Sequence, residues 1–472
     1  MVTFSGPMTA GSHIPPACVV PFDLAANGYV AEEFLASGTA CGYELDGEVR
    51  HDGRWTARPA DTAEYRTRIV VRRPADPGRF SGTLLLEWLN VSSGFDADAD
   101  WGYLHEEILR AGHAYAAVSV QALGVMGGHS LLGFPGEFPG LRQSDPDRYG
   151  SLVHPGDKYA FDIFSQIGRA LGGRAGPGGR AGPGGGREPG GGSVPGGGRE
   201  PVEVLGGLAP SRVLALGESQ SGYFLTSYIN AVQSSSPVFD GFFVHSRGAG
   251  AALLSGGGLD LENVTVGVRI RDDTAVPVLM IQAEGDLAPP LASALARQPD
   301  SERFRLWEVA GTAHADAYLI GEAAALLGCD WRINEGPHRY VAQAALHALH
   351  RWACGEAPPA SAAWIELTSQ DPPAIARDAH GIALGGVRTP LVDVPVAVLS
   401  GEGPPGAAGP GWLVGSTVPF PGQALRELYG DEAGYLDAYT RSLDAAIEAG
   451  FLLPAHREQL LAQARAVSFE TA

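Results

Sequence analysis

Val213-Leu-Ala-Leu-Gly217-Glu218-Ser219-Gln220-Ser221-Gly222-Tyr223 is the stretch on which the reading of this chain turns. Val213 to Leu216 read as a buried strand, and the small residues after them as a tight turn that opens into a helix. A serine at such a bend is held in a strained backbone conformation. The residues two before and two after it must then be small so that strand and helix can approach. For Ser219 those positions are Gly217 and Ser221. Ser221 is the rival nucleophile, but it would stand inside the first helical turn, and both serines could serve only to cap that helix.

Outward from this point, short apolar runs alternate with helical stretches, the pattern of a mostly parallel sheet covered by helices. Strands are expected at Arg68–Arg72, Leu84–Trp88, Tyr115–Val120, Val213–Leu216, Gly241–Val244, Pro277–Gln282 and Phe304–Val309. Helices are expected at Trp101–Ala111, His154–Leu171, Ser221–Val232 and Pro337–Cys354. Gly42–Glu64 reads as a polar β-hairpin decoration that leads into the sheet, with turns at Asp46-Gly47 and Asp52-Gly53. From Leu171 to Glu200 half of the residues are glycine, with prolines at 177, 183, 189 and 195. Such a segment cannot bury enough apolar surface to offset its ordering entropy, and it is expected to be a disordered insertion. The organisation expected is a core over 1–357 and an extension over 358–472 that packs on it, with amphipathic helices near Ala433–Ala449 and Pro454–Ala466.

A serine hydroxyl needs a base, and a serine on a strand–turn–helix bend finds its carboxylate and its histidine further along the chain, in that order. After the apolar run Val276–Gln282 come Glu284 and Asp286, at a strand's C-terminal end. Asp286 is the expected acid. Glu284 stays open as the alternative, because two residues apart in extended chain the two would share a face. The next strand, Phe304–Val309, runs into Ala310-Gly-Thr-Ala-His314, which puts His314 on the loop after the last sheet strand. His245 and His338 are the competing histidines. An oxyanion would need two backbone donors: the N–H of Gln220, after the nucleophile, and one from the loop Leu89–Gly94, where Val91 or Ser92 is expected. That loop also reads as an ordinary Asx turn. Ala122–Tyr149 is left open between a roof over the cleft and a surface segment.

Composition bounds the partners. The 472 residues carry 53 acidic and 33 basic side chains, a formal charge of −20 that disfavours nucleic acid and anionic membrane surfaces. Lys158 is the only lysine. Four cysteines at wide spacing, with no CxxC pair, indicate neither a metal site nor a disulfide framework. The sequence shows neither a signal-peptide pattern at its start nor an apolar run long enough to span a bilayer, so a cytoplasmic location is expected. No cofactor is expected, and oligomeric state is not indicated.

Several strings resemble the bacterial alpha/beta hydrolase domain-containing family. They are Gly38-Thr-Ala, Leu84-Leu-Leu-Glu-Trp-Leu-Asn-Val-Ser92, Gly217-Glu-Ser-Gln-Ser221, Ala296-Arg-Gln-Pro-Asp-Ser301, Leu306–Asp316, Gly385–Pro390 and Val414–Thr417. The resemblance spans nearly the whole chain. It implies an α/β-hydrolase fold, a mostly parallel central sheet with helices on both faces, and a Ser-His-acid triad at the nucleophile elbow; it does not imply a substrate. The expected chemistry is a serine hydrolase acting on a small-molecule ester or related acyl bond, with Ser219 as nucleophile, His314 as base and Asp286 as orienting acid. An acyltransferase on the same residues and a non-catalytic binding protein are the alternatives.

Overall fold

The computed structural model describes residues 2–17, 22–174, 202–256, 265–321, 324, 327–406 and 410–470. Nine strands form one sheet: β1 (Thr3–Ser5), β2 (Tyr29–Leu45), β3 (Ala57–Pro74), β4 (Thr83–Trp88), β5 (Ala114–Val118), β6 (Arg212–Glu218), β7 (Gly241–His245), β8 (Val278–Ala283) and β9 (Phe304–Val309). Their order is β1-β2-β3-β5-β4-β6-β7-β8-β9. β5 through β9 pair in parallel, and β1, β2 and β3 add antiparallel strands on the β5 side. The parallel strands are buried on both faces, which is why they read as largely apolar runs such as Thr83-Leu-Leu-Leu-Glu-Trp88.

Alternate side chains along each strand feed two cores, as period-two geometry requires. On one face Leu84, Leu86, Trp88, Ala215 and Val244 meet α2 (Ala160–Leu171) and α3 (Gln220–Ser227), with Phe161, Phe164 and Phe224 around the Trp88 ring. On the other face Leu85, Leu214, Leu216, Phe243 and Ile281 meet α1 (Ala99–Ala111) and α4 (His338–Ala353). Tyr435, Tyr439, Leu443 and Leu460, from α6 (Glu432–Glu448) and α7 (Arg457–Arg465), join this second core; α5 is Gly422–Tyr429. The fold expected from the sequence is the one observed.

Two expectations change in extent. The hairpin runs well beyond Gly42–Glu64: β2 and β3 pair from Tyr29 with Pro74 to Leu45 with Ala57, with one register shift between Cys41 and Tyr43. Both expected turns fall in the connection at 46–56, with Gly47 and Gly53 at φ 95° and 70°. The hairpin leads into the sheet as expected, because β3 pairs with β5. The Gly/Pro-rich segment lies from residue 175 to 200 outside the described residues; Leu171 closes α2.

The core positions the site through strand order. β4 has β5 on one side and β6 on the other, so chain crossings leave it in opposite directions and a crevice opens at the carboxyl ends of β4 and β6. Those ends carry Asn90 and Ser219. Among the described residues no helix is long and apolar enough to cross a membrane.

Candidate active site

Ser219 stands between β6 and α3 at φ 54° and ψ −116°, a left-handed backbone that a residue with a Cβ adopts only under constraint. Gly217 allows it: a Cβ there would meet Leu225 at 2.9 Å and the Ser221 backbone at 3.1 Å. Although Ser219 occupies the cap position of α3, its side chain makes no capping hydrogen bond. Its Oγ lies 2.7 Å from His314 Nε2 instead. Ser221 is fully buried in the first turn of α3, away from this contact.

His314 Nδ1 lies 2.6 Å from Asp286 Oδ1, and Asp286 Oδ2 accepts from the Ala283 N–H at 2.6 Å. A carboxylate only accepts, so Nδ1 carries the proton in this arrangement and Nε2 is left to accept from the serine hydroxyl. Burial works against the imidazolium, but the charge and hydrogen bond of Asp286, with Glu218 adding to them where it is ionised, outweigh it and hold the His314 pKa above its ordinary value.

Glu284 is placed elsewhere. Residues Glu284–Asp286 form a 3₁₀ turn, with about three residues per turn, so side chains two apart diverge and do not share a face as in extended chain. The Glu284 carboxylate accepts from the Gly311 N–H at 2.7 Å and the Gly401 N–H at 3.0 Å, and pairs with Arg377 at 2.9 Å. It ties the loop that carries His314 to the C-terminal part of the chain.

The competing histidines are paired with each other. His245 Nε2 lies 2.6 Å from His338 Nε2, and His245 Nδ1 lies 2.8 Å from Asp100 Oδ1. Both rings are fully buried, and desolvation lowers both pKa values, that of His245 to about 3.

The loop after β4 is an Asx turn: Asn90 Oδ1 accepts from the Ser92 N–H at 2.8 Å. This commits the Ser92 donor, whereas the Val91 N–H has only a long contact, 3.4 Å, to Gln220 Oε1. The Gln220 N–H, at the first position of α3, has no intrahelical acceptor. Sequence reasoning passed over two residues here. Asn90 Nδ2 donates to the Glu218 carbonyl at 3.1 Å and to Glu218 Oε2 at 3.0 Å, and Glu218 Oε1 reaches within 3.5 Å of His314 Nε2. Burial pushes the Glu218 pKa up to about 8. Their place in the elbow and in the loop facing it was the available signal. Glu87, from the same loop's strand, accepts from the Asp100 and Trp101 N–H groups and so caps α1.

Over Ser219 lies a cavity of about 400 Å³. Leu132, Phe134 and Phe138 contribute to its lining, so the Ala122–Tyr149 segment roofs it. Leu319, Ile320 and Leu413 form another wall, and Trp412 sits 6.2 Å from the His314 ring. Arginine and lysine are absent from the lining among the described residues.

The chain is similar to a Klebsiella pneumoniae protein named as a dienelactone hydrolase, at 11% identity, with 68% of this chain and 100% of that one covered and a TM-score of 0.31. It is also similar to acetyl xylan esterase 1 from Thermoanaerobacterium (13%, 56% and 80%, TM-score 0.27). A third similar structure is the glucuronoyl esterase from Solibacter usitatus (10%, 65% and 82%, TM-score 0.29). No curated protein matches. The model of the family described as "Alpha/beta hydrolase domain" matches residues 4–189 and 194–462, nearly the whole chain. The chain therefore belongs to the alpha/beta hydrolase domain family.

Proposed function

We propose that the protein is a serine hydrolase that cleaves a carboxylic ester or a related acyl bond. The observation that carries this reading is the hydrogen-bonded chain Ser219–His314–Asp286 at 2.7 and 2.6 Å, with the serine on a strained bend. Ser219 Oγ attacks the carbonyl carbon while His314 Nε2 takes the hydroxyl proton. The N–H groups of Gln220 and Val91 face the oxyanion, and Asp286 stabilises the imidazolium. His314 returns the proton to the leaving alcohol. Water then attacks the acyl-enzyme, its proton passes to His314 and on to Ser219, and the carboxylic acid departs.

The test is labelling with a fluorophosphonate, followed by peptide mass spectrometry, on the wild type, Ser219→Ala and Ser221→Ala. Modification confined to Ser219 and abolished by Ser219→Ala is expected. A folded protein that takes no label refutes the reading and favours a non-catalytic binding protein. The roofed, apolar cavity favours one second reading, acyl transfer to an alcohol in place of water; an excess of transfer product over acid, with alcohol present, would select it.

A further inference from the structure

The cavity over Ser219 says more about the substrate than its reaction does. Its volume, about 400 Å³, lies within the range of small-molecule sites. Phe95, Phe134, Phe138, Leu132 and Leu413 give it an apolar lining from separate segments of chain. Its titratable lining groups, among the described residues, are Glu218 and His314.

A bound carboxylate would therefore find no permanent cation among the described lining residues, since His314 must be neutral to act as the base. The buried arginines Arg68, Arg72 and Arg247 are engaged with Asp96, Asp98 and the carbonyls of Gly250 and Val268, and the half-buried Arg377 pairs with Glu284 and Glu402. The one acidic lining group, Glu218, is held by Asn90 within 3.5 Å of the histidine; with its pKa pushed up by burial to about 8, it is mostly uncharged at neutral pH. A second carboxylate placed beside it would have to be buried unpaired, and the cost of that is large. The formal charge of −20 further disfavours approach of an anion.

We propose that this site takes uncharged esters, with apolar acyl and alcohol parts, and discriminates against esters that carry a carboxylate on either part. This rests on the serine-hydrolase reading and adds the substrate class to it.

The experiment uses two fluorophosphonates that differ only in one arm, pentyl or 4-carboxybutyl. In both, Ser219 Oγ bonds to phosphorus, fluoride leaves, and the hydroxyl proton passes to His314. The second-order rate of Ser219 modification is read by mass spectrometry at pH 7. The pentyl probe is expected to react at least about tenfold faster, the lower bound for burying one unpaired charge. Leu132→Arg, which places a cation at the roof, should narrow that ratio. A wild-type ratio below tenfold, or a ratio that Leu132→Arg leaves unchanged, overturns the inference while the hydrolase reading stands. Labelling by neither probe in folded protein overturns the hydrolase reading itself.

Discussion

Substituting the two acids of the turn after β8 one at a time separates orientation of the histidine from anchoring of the C-terminal segment. In Asp286→Asn, both native carboxylate oxygens act as acceptors, from His314 Nδ1 and from the Ala283 N–H. An amide has one acceptor and one donor, so it cannot serve both. If its NH₂ faces His314, the ring turns to the tautomer with hydrogen on Nε2 and can no longer take the serine proton. A loss of about 10⁴ in kcat is expected, or about 5.4 kcal/mol of transition-state stabilisation. Glu284→Gln instead weakens a carboxylate held by two N–H groups and Arg377, without touching His314. Breaking a buried charge pair costs about 3 kcal/mol. At about 2.1 cal/mol/K per residue over 472 residues, that is a fall of about 3 °C in Tm. The assay is release of 4-nitrophenol from 4-nitrophenyl butyrate at pH 8, with thermal melts on the same preparations. A kcat for Asp286→Asn within tenfold of wild type, or a 10⁴-fold loss in Glu284→Gln at unchanged Tm, would refute the assignment of Asp286 as the orienting acid.

The pH profile of kcat/KM should be a bell. His314 must be neutral to accept the serine proton, and its pKa lies above 6.5, so activity falls as pH drops through that raised value. On the alkaline side Glu218 ionises near pH 8 and puts a charge 3.5 Å from His314 Nε2, where it favours the protonated base that cannot take the serine proton; Glu218→Gln is expected to remove that limb and keep the acid one. Gly94→Ala should lower kcat/KM by about tenfold for 4-nitrophenyl butyrate. Gly94 sits at φ 99° and a Cβ would meet the Phe138 ring at 2.6 Å, so the roof must shift; unchanged kinetics at unchanged Tm would count against it. Gly401→Ala would drive a Cβ to 2.2 Å from the Gly285 nitrogen, where backbone on both sides cannot yield. A loss of about 3 kcal/mol in stability, read by urea unfolding, is expected.

Much of the sheet was legible because its parallel strands are buried on both faces and so announce themselves as apolar runs, from Leu84–Trp88 to Phe304–Val309. The placement of Ser219, Asp286 and His314 at successive strand ends followed from local chain order. Three things depended on contacts that no local window contains. The full length of β2 and β3 was hidden because their solvent-facing residues, such as Glu44 and Glu64, interrupt the apolar pattern. The divergence of Glu284 from Asp286 came from a 3₁₀ turn whose carboxylate finds partners 27 and 117 residues away. The roof formed by Leu132, Phe134 and Phe138 belongs to a Gly/Pro-rich stretch with no periodicity to read.

The grip of Glu284 on Gly401 also orders events in time. The ribosome delivers the chain from its N-terminus, and β4 through β9 can pair before residue 401 exists; one of the bonds that hold the turn carrying Asp286 forms only when that distant glycine closes a 117-residue loop. Sheet and site therefore mature separately. After dilution from denaturant, far-UV circular dichroism should recover first and fluorophosphonate reactivity later, and simultaneous recovery of the two would show that the C-terminal segment is not the last piece to arrive.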